Sequence, residues 1–168
     1  MTTRSDTYDR FADSAAAYDV ELTRTTVESL PETIADVLEE PAVGAPLPWE
    51  GCSLPDAVTI DPTPAQLNAA VSGVTAASLA IADYGSLVLE ATPGGSEPAS
   101  LFVDTHVVVL REQDIVADME TAFEWFGDRF RETHGSAIIA TGPSATADMG
   151  ALVKGAHGPK AVHVVVLR

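Results

Sequence analysis

Apolar positions recur at three- and four-residue steps over Ser5–Tyr18, where Tyr8, Phe11, Ala12, Ala15 and Tyr18 share one side of a predicted helix. Val20–Thr25 reads as a short strand. Glu28–Glu40 predicts a second helix, with Leu30, Ile34, Val37 and Leu38 on one face and Pro41 closing it. Residues 41–56 hold four of the chain's eleven prolines and are expected to be a Pro/Gly-rich loop. Ala57–Ile60 predicts a strand, and Thr63-Pro64 opens a helix running to about Ser72, with proline where the missing N–H costs nothing.

From Gly73 to Glu90, two apolar stretches flank Asp83-Tyr84-Gly85-Ser86, a pattern that predicts a turn between two strands. Residues 91–98 predict a loop. His106–Leu110 is uninterruptedly apolar, as expected of a strand buried on both faces. Ile115–Arg131 gives the clearest helical period, with Ile115, Met119, Ala122, Phe123, Phe126 and Phe130 on one stripe. Ala137–Ala140 predicts a strand, Thr146–Val153 a short helix, and Ala161–Leu167 the final strand. Alternating strands and helices, with strands apolar on both sides, predict an α/β fold of three layers, a mixed sheet between helices, in one domain over 1–168. In such sheets ligands gather at the carboxyl ends of the strands. The Gly-rich turns at 83–86 and 142–146 both follow strands, so they are expected to line one crevice.

Composition narrows the picture. Hydrophobic residues make up 46% of the 168-residue chain and aromatics 6%, so the interior must be mainly Ala, Val, Leu and Ile. No apolar run approaches the roughly 20 residues of a membrane span, and the first residues lack the apolar core of a signal peptide. A cytoplasmic location is the expectation. Twenty-five acids against nine bases give a formal charge of −16, which repels nucleic acid and anionic membranes. Because the acids are scattered rather than in one block, an acidic surface adapted to high salt explains them better than a face for a basic partner. The single Cys52, in the Pro/Gly-rich loop, cannot make an internal disulfide or hold an iron–sulfur cluster, and reads as an ordinary loop thiol.

Candidate chemistry concentrates near the C-terminus. Ile138–Asp148 reads as strand, tight turn at Gly142 and helix start, with Ser144 or Thr146 as cap. Exposed amides at such a start make an anion cradle; the competing reading is a well-capped helix and nothing more. From Gly135 to Arg168 the balance is +2, against −18 for the first 134 residues, which suits either an anion-binding patch or a buried segment. Gly155-Ala156-His157-Gly158-Pro159 sets an imidazole in a glycine-framed turn, where His157 serves as acid/base or anion donor, or simply holds the turn. His106 and His163 sit in apolar strands and read as packed, hydrogen-bonded residues; His134 reads as a solvated helix-end histidine. Asp83 and Asp148 are explained as turn and capping residues, and act as catalytic carboxylates only if a partner lies near. No HxH, HxxxH or CxxC pair is present, so no protein-built metal site is expected. The chain has no P-loop, no G-x-G-x-x-G and no nucleophile elbow around Ser144.

Three blocks resemble the LUD-domain (lactate utilization) family, and within it the lactate-utilization protein C branch. They are Gly73-x-Thr75-x-Ala77 through Ile81-Ala82-Asp83-x-Gly85-Ser86-Leu87; Ser100-Leu101 with His106; and Gly142-Pro143-Ser144-x-Thr146-Ala147-Asp148 with Lys154-Gly155-x-His157-Gly158-Pro159. The match spans about 70–168. The resemblance implies a fold similar to the ribose-phosphate isomerase and CoA-transferase group. It also implies a non-cluster accessory role in oxidising L-lactate to pyruvate beside iron–sulfur partner subunits, with no cofactor in this chain. Larger relatives fuse the domain to a cysteine-rich segment, which one cysteine excludes here. Ala145 stands where the family commonly has Arg, Met149-Gly150 where Ile-Glu is usual, and the Arg before Ser100 and the Pro near Val103 are absent. The candidate small-organic-anion residues are Thr75, Asp83, Gly85, Ser86, Gly142, Ser144, Thr146, Asp148, Gly155 and Gly158, with His157 as candidate acid/base. Three functions remain open: that accessory component, an independent small-molecule enzyme of the same fold group, and a non-catalytic interaction module.

Overall fold

The computed structural model describes residues 4–168. Its centre is a six-stranded sheet, all parallel, in the order β1 (Glu21–Thr25), β12 (Ala161–Leu167), β7 (Thr105–Arg111), β4 (Ser72–Ala76), β2 (Ala42–Gly44), β3 (Val58–Ile60). Valines alternate across it. Val107, Val109 and Val165 face α2 (Leu30–Val37) and the segment holding Leu47, Trp49 and Leu54, while Val108, Val162, Val164 and Val166 face the opposite side. Parallel strands need covering on both faces, and the uninterrupted apolar run of β7 is that requirement written in sequence.

On the second face lie α1 (Arg4–Ala16), which seats Phe11 and Ala15, and α4 (Ser96–Leu101), which meets β2 and β4 through Ala99. Beside them is a separate sheet, ordered β8 (Ile115–Val116), β5 (Leu79–Ile81), β6 (Ser86–Glu90), β9 (Ala137–Thr141). Ala80, Leu87 and Leu89 of this sheet face the main sheet; Leu79, Ile81 and Val88 face α5 (Met119–Thr133) through Ala122 and Phe126. The α/β class therefore holds, and the antiparallel pairing expected around 83–86 forms, but in a sheet of its own. The chain changes sheets between two residues: Ala77 N–H donates to the Val109 carbonyl of the main sheet, and Ser78 N–H to the Val88 carbonyl of the second, at 2.9 and 3.0 Å.

Several elements differ from expectation. The 41–56 loop contains β2, an inner strand of three buried residues too short to show a period. The 91–98 loop leads into α4. The long helix begins later, at Met119, capped by the Asp118 carboxylate accepting from the Thr121 amide at 2.8 Å; Ile115 belongs to β8, and Phe123 is 63% exposed instead of lying on the buried stripe. The helix of 64–72 (α3, Pro64–Ala69) starts where the sequence placed it but stops at Ala69 so that Ser72 can enter β4, and a Thr63/Gln66 capping box, not foreseen in the sequence, closes its amino end. The short helix expected over Thr146–Val153 is absent. In its place β10 (Ala145–Asp148) and β11 (Ala151–Lys154) form a hairpin, turning at Met149 and Gly150 with φ of 47° and 80°. Two consecutive positive φ values make the tight turn that matches strand twist, and the glycine that enables it disfavours a helix. Among the described residues no helix is long and apolar enough to cross a membrane.

Candidate functional site

The turns at 142–144 and 155–159 come together, though not as a helix-start cradle, and the 83–86 turn expected to share a crevice with 142–146 does not line their pocket. Ser144 N–H donates to the Pro159 carbonyl and Gly155 N–H to the Ser144 carbonyl, both at 2.8 Å, so 142–144 and 155–159 are clipped into one unit. Gly158 permits the approach, since a Cβ there would stand 3.0 Å from the Ser144 Cβ. With no helix following Gly142 there is no helix dipole, and the Ser144 amide donates to Pro159, so the helix-start geometry expected at 142–148 does not form. The local excess of positive charge is also neutralised from afar, because Lys154 pairs with Asp19 at 2.6 Å and Lys160 with Asp104 at 2.9 Å.

The clipped turns close a pocket of about 210 Å³ over the amino ends of β7 and β12. Gly142, Ser144, His157 and Gly158 line one side, and His106, Ser100 and Leu101 another. His106 is fully buried, and burial pushes its pKa down to about 4, so it is a neutral imidazole at pH 7. Its Nε2 lies 2.8 Å from the Thr75 hydroxyl, which puts Thr75 behind the pocket wall. Ser86 stands behind it likewise, its hydroxyl 2.7 Å from that of the lining residue Thr141. His157 is exposed at the rim.

The remaining candidates lie elsewhere. Asp83 forms an ion pair with Arg10 of α1. Gly85, at φ 62°, packs on the backbone of α1, where a Cβ would fall 2.5 Å from the Ala15 nitrogen. Gly142, at φ 67°, lies under Tyr18, with 2.7 Å between the built Cβ and the Tyr18 Cβ. Both glycine turns thus seat α1 and the turn after it. Thr146 pairs with Val153 in the hairpin, Asp148 ends the same strand, and Gly155 backs on Lys160. His163 is a packed strand histidine, 2.8 Å from the Thr23 hydroxyl, with its pKa lowered by burial against the opposing pull of Glu21.

A larger cleft of about 550 Å³ opens at the carboxyl ends of β2, β4 and β7, the end where parallel α/β sheets hold ligands. Its charged groups are Arg111, Asp114, Arg129 and Glu90, its hydroxyls include Ser78, and Trp49 and Trp125 are among its apolar ones. Arg129 donates to both Glu90 oxygens at 2.8 and 3.2 Å, and Ser78 donates to one of them at 2.5 Å. Burial raises the Glu90 pKa, but the Arg129 and Ser78 hydrogen bonds outweigh it and the net direction is down, which keeps a carboxylate. Arg111 donates Nε to Asp114 at 2.6 Å and its guanidinium lies 5.2 Å from the Trp49 ring centre. A more open hollow adjoins this cleft, where the half-buried Cys52 and Arg168 meet Trp49 and Arg111. Sequence reading missed Trp49, Ser78, Arg111, Asp114, Trp125 and Arg129 because the cleft draws on five separate segments and forms no linear motif; the scarcity of two tryptophans and seven arginines in the chain was the available signal. Among the described residues no three His, Cys, Asp or Glu side chains are grouped to hold a metal ion.

Comparison with known proteins agrees with this architecture. The LUD domain profile matches residues 21–167. A lactate utilization protein C from Deinococcus radiodurans is 31% identical over 169 residues, spanning 95% of this chain and 76% of that protein. Another from Macrococcus caseolyticus is 29% identical, spanning 87% and 71%. The crystal structure of a DUF162 family protein from Deinococcus radiodurans superposes with a TM-score of 0.76 over 99% of both chains at 23% identity, and so shares the fold. The chain belongs to the LUD-domain family.

Proposed function

We propose that this chain is the non-cluster accessory component of a cytoplasmic system that oxidises L-lactate to pyruvate, working beside iron–sulfur subunits and holding a small organic acid in the 210 Å³ pocket. The observation that supports it is convergence. Ser100-Leu101, His106, Gly142–Ser144 and His157–Pro159, drawn from two of the three blocks that resemble the family, line one cavity. The volume lies below the roughly 300–1,000 Å³ of pockets for larger ligands and suits a three-carbon acid. Leu87, Leu89 and Val162 offer an apolar wall for a methyl group, and the Ser144 hydroxyl and His157 imidazole offer donors to a carboxylate. In this reading His157, at the rim, exchanges a proton with the acid's hydroxyl. The cleft at the other end of the sheet gives less support to an independent acyl-transfer enzyme. That chemistry needs a free carboxylate nucleophile, and both oxygens of Glu90 are engaged.

Deleting the gene is expected to abolish growth on lactate and spare growth on glucose; unchanged growth on lactate overturns the pathway assignment. On the purified chain, a ligand at 100 times its Kd adds about 2.7 kcal/mol to stability. A thermal-shift series of lactate, pyruvate, glycolate, sugar phosphates and CoA esters therefore identifies the acid. Ser144→Ala and His157→Ala should each erase the lactate or pyruvate shift. A shift with CoA esters or sugar phosphates alone favours the independent enzyme, and no shift with any of them favours an interaction module.

A further inference from the structure

The cleft at the carboxyl ends of the parallel strands shares no lining residue with the pocket at their amino ends. Both tryptophans of the chain line it, Trp49 from the segment that covers the α2 face of the main sheet and Trp125 from α5 beyond the second sheet. Two of the nine cationic side chains line it as well. The paired charges are layered: Arg129 and Arg111 are 43% and 39% exposed, whereas their partners Glu90 and Asp114 are 13% and 18% exposed. The four charges balance, and in each pair the guanidinium is the more exposed partner, so a ligand entering the cleft meets the arginines first, in a chain of charge −16. Guanidinium donors remain available, since Arg111 uses only Nε on Asp114 and Arg129 uses Nε and Nη2 on Glu90 among the described residues.

We propose that this cleft binds a nucleotide-class ligand, with a planar heteroaromatic ring against the tryptophans and a phosphate group on Arg111 and Arg129. A planar arginine fork matches phosphate geometry, and indole faces take any flat ring. At about 550 Å³ the cleft has room for both parts, whereas a bare small anion leaves the tryptophans without a role. An amino acid or a cationic peptide fits less well, because the two carboxylates that would receive an ammonium group are already occupied. Recognition here does without a glycine-rich phosphate loop: side chains supply the donors, which explains why no nucleotide motif is visible in the sequence.

The test uses the full purified chain. ADP, GDP, UDP and FMN are titrated by calorimetry, with tryptophan emission as a second readout for the first three, since both emitters line the cleft. Adenosine and pyrophosphate serve as the two half-ligands, and melting curves of each variant establish that it is folded. At least one nucleotide should bind one-to-one and change the emission, with each half-ligand about tenfold weaker or worse. Arg111→Gln should weaken binding about tenfold, the scale of one lost charge-assisted hydrogen bond. Trp125→Leu should do the same while Trp125→Phe retains most of the affinity, and should Trp125→Leu melt early, Arg111→Gln and Trp125→Phe carry the test. Saturable heat from none of the four nucleotides overturns the proposal. So does pyrophosphate binding as tightly as the nucleotides, or affinity unchanged in folded Arg111→Gln. Lactate titrations of Arg111→Gln separate the two sites, because loss of nucleotide binding with an intact lactate response leaves the acid pocket standing, and the converse holds for Ser144→Ala.

Discussion

Replacing Gly85 by alanine tests whether the glycine turn after β5 serves the fold or a ligand. Gly85 has φ 62°, and the methyl group would lie 2.5 Å from the Ala15 nitrogen and 2.7 Å from the Ala15 Cα and the Ser14 carbonyl carbon. Left-handed backbone costs an L-residue about 1–2 kcal/mol. The clash is with helix backbone, which cannot rotate aside, so α1 has to move; overpacking of this kind costs about 1–3 kcal/mol more. The sum, about 2–5 kcal/mol, is a large share of an ordinary domain's 5–15 kcal/mol and lowers Tm by about 5–20 °C at this chain length. Gly150 is the internal control: its φ is 80°, yet a Cβ there meets nothing within 4 Å. Gly150→Ala should therefore show the backbone cost alone, about 1–2 kcal/mol. Thermal melts followed by circular dichroism, both variants in the same salt, give the comparison. Gly85→Ala melting no lower than Gly150→Ala would refute the packing argument and return Gly85 to the candidate ligand residues. Below its melting temperature Gly85→Ala should bind ligands as the unaltered chain does.

Three further outcomes follow from the structure. His106, with a pKa near 4 when folded against about 6.5 when unfolded, binds its proton more readily in the unfolded chain; stability is thus complete above pH 6.5 and falls by up to about 3 kcal/mol as pH drops to 4. Its NMR resonances should not titrate between pH 8 and 5, and His106→Gln should flatten that part of the stability–pH curve; titration near 6.5 contradicts the burial argument. Phe126→Ala, which empties the contact between α5 and Leu79, Ile81 and Val88, should cost about 3–5 kcal/mol by urea unfolding, while the exposed Phe123→Ala should cost under about 1 kcal/mol. Raising NaCl from about 0.1 to 2 M should raise Tm, because screening relieves the self-repulsion of a −16 chain faster than it weakens a few exposed ion pairs, and a falling Tm would contradict this.

What the sequence determined alone is what local physics writes into local residues. The valine runs of β7 and β12 demanded burial on both faces, and so a sheet covered by other layers; that the sheet is parallel throughout, rather than mixed as expected, only the structure showed. Ser14 and Ala15 could not announce that they would press on Gly85, but the Asp83–Ser86 turn itself was legible, as were the helix start at Thr63-Pro64 and the turns at 142–144 and 155–159. Tertiary structure decided whatever depended on neighbours distant in the chain. It split 73–81 between two sheets at Ala77 and Ser78, because successive amides found partners on different strands. It made 145–154 a hairpin, since a helix as short as Thr146–Val153 has little of its own to stabilise it and Met149-Gly150 supplies a tight turn. Long-range contact also set the charges: lysines that looked like an anion patch are paired with Asp19 and Asp104, more than 50 residues away in sequence. The arginine and tryptophan cleft could arise only there, because its residues are neighbours in space through the ends of three parallel strands and one face of α5, and no spacing along the chain records that meeting.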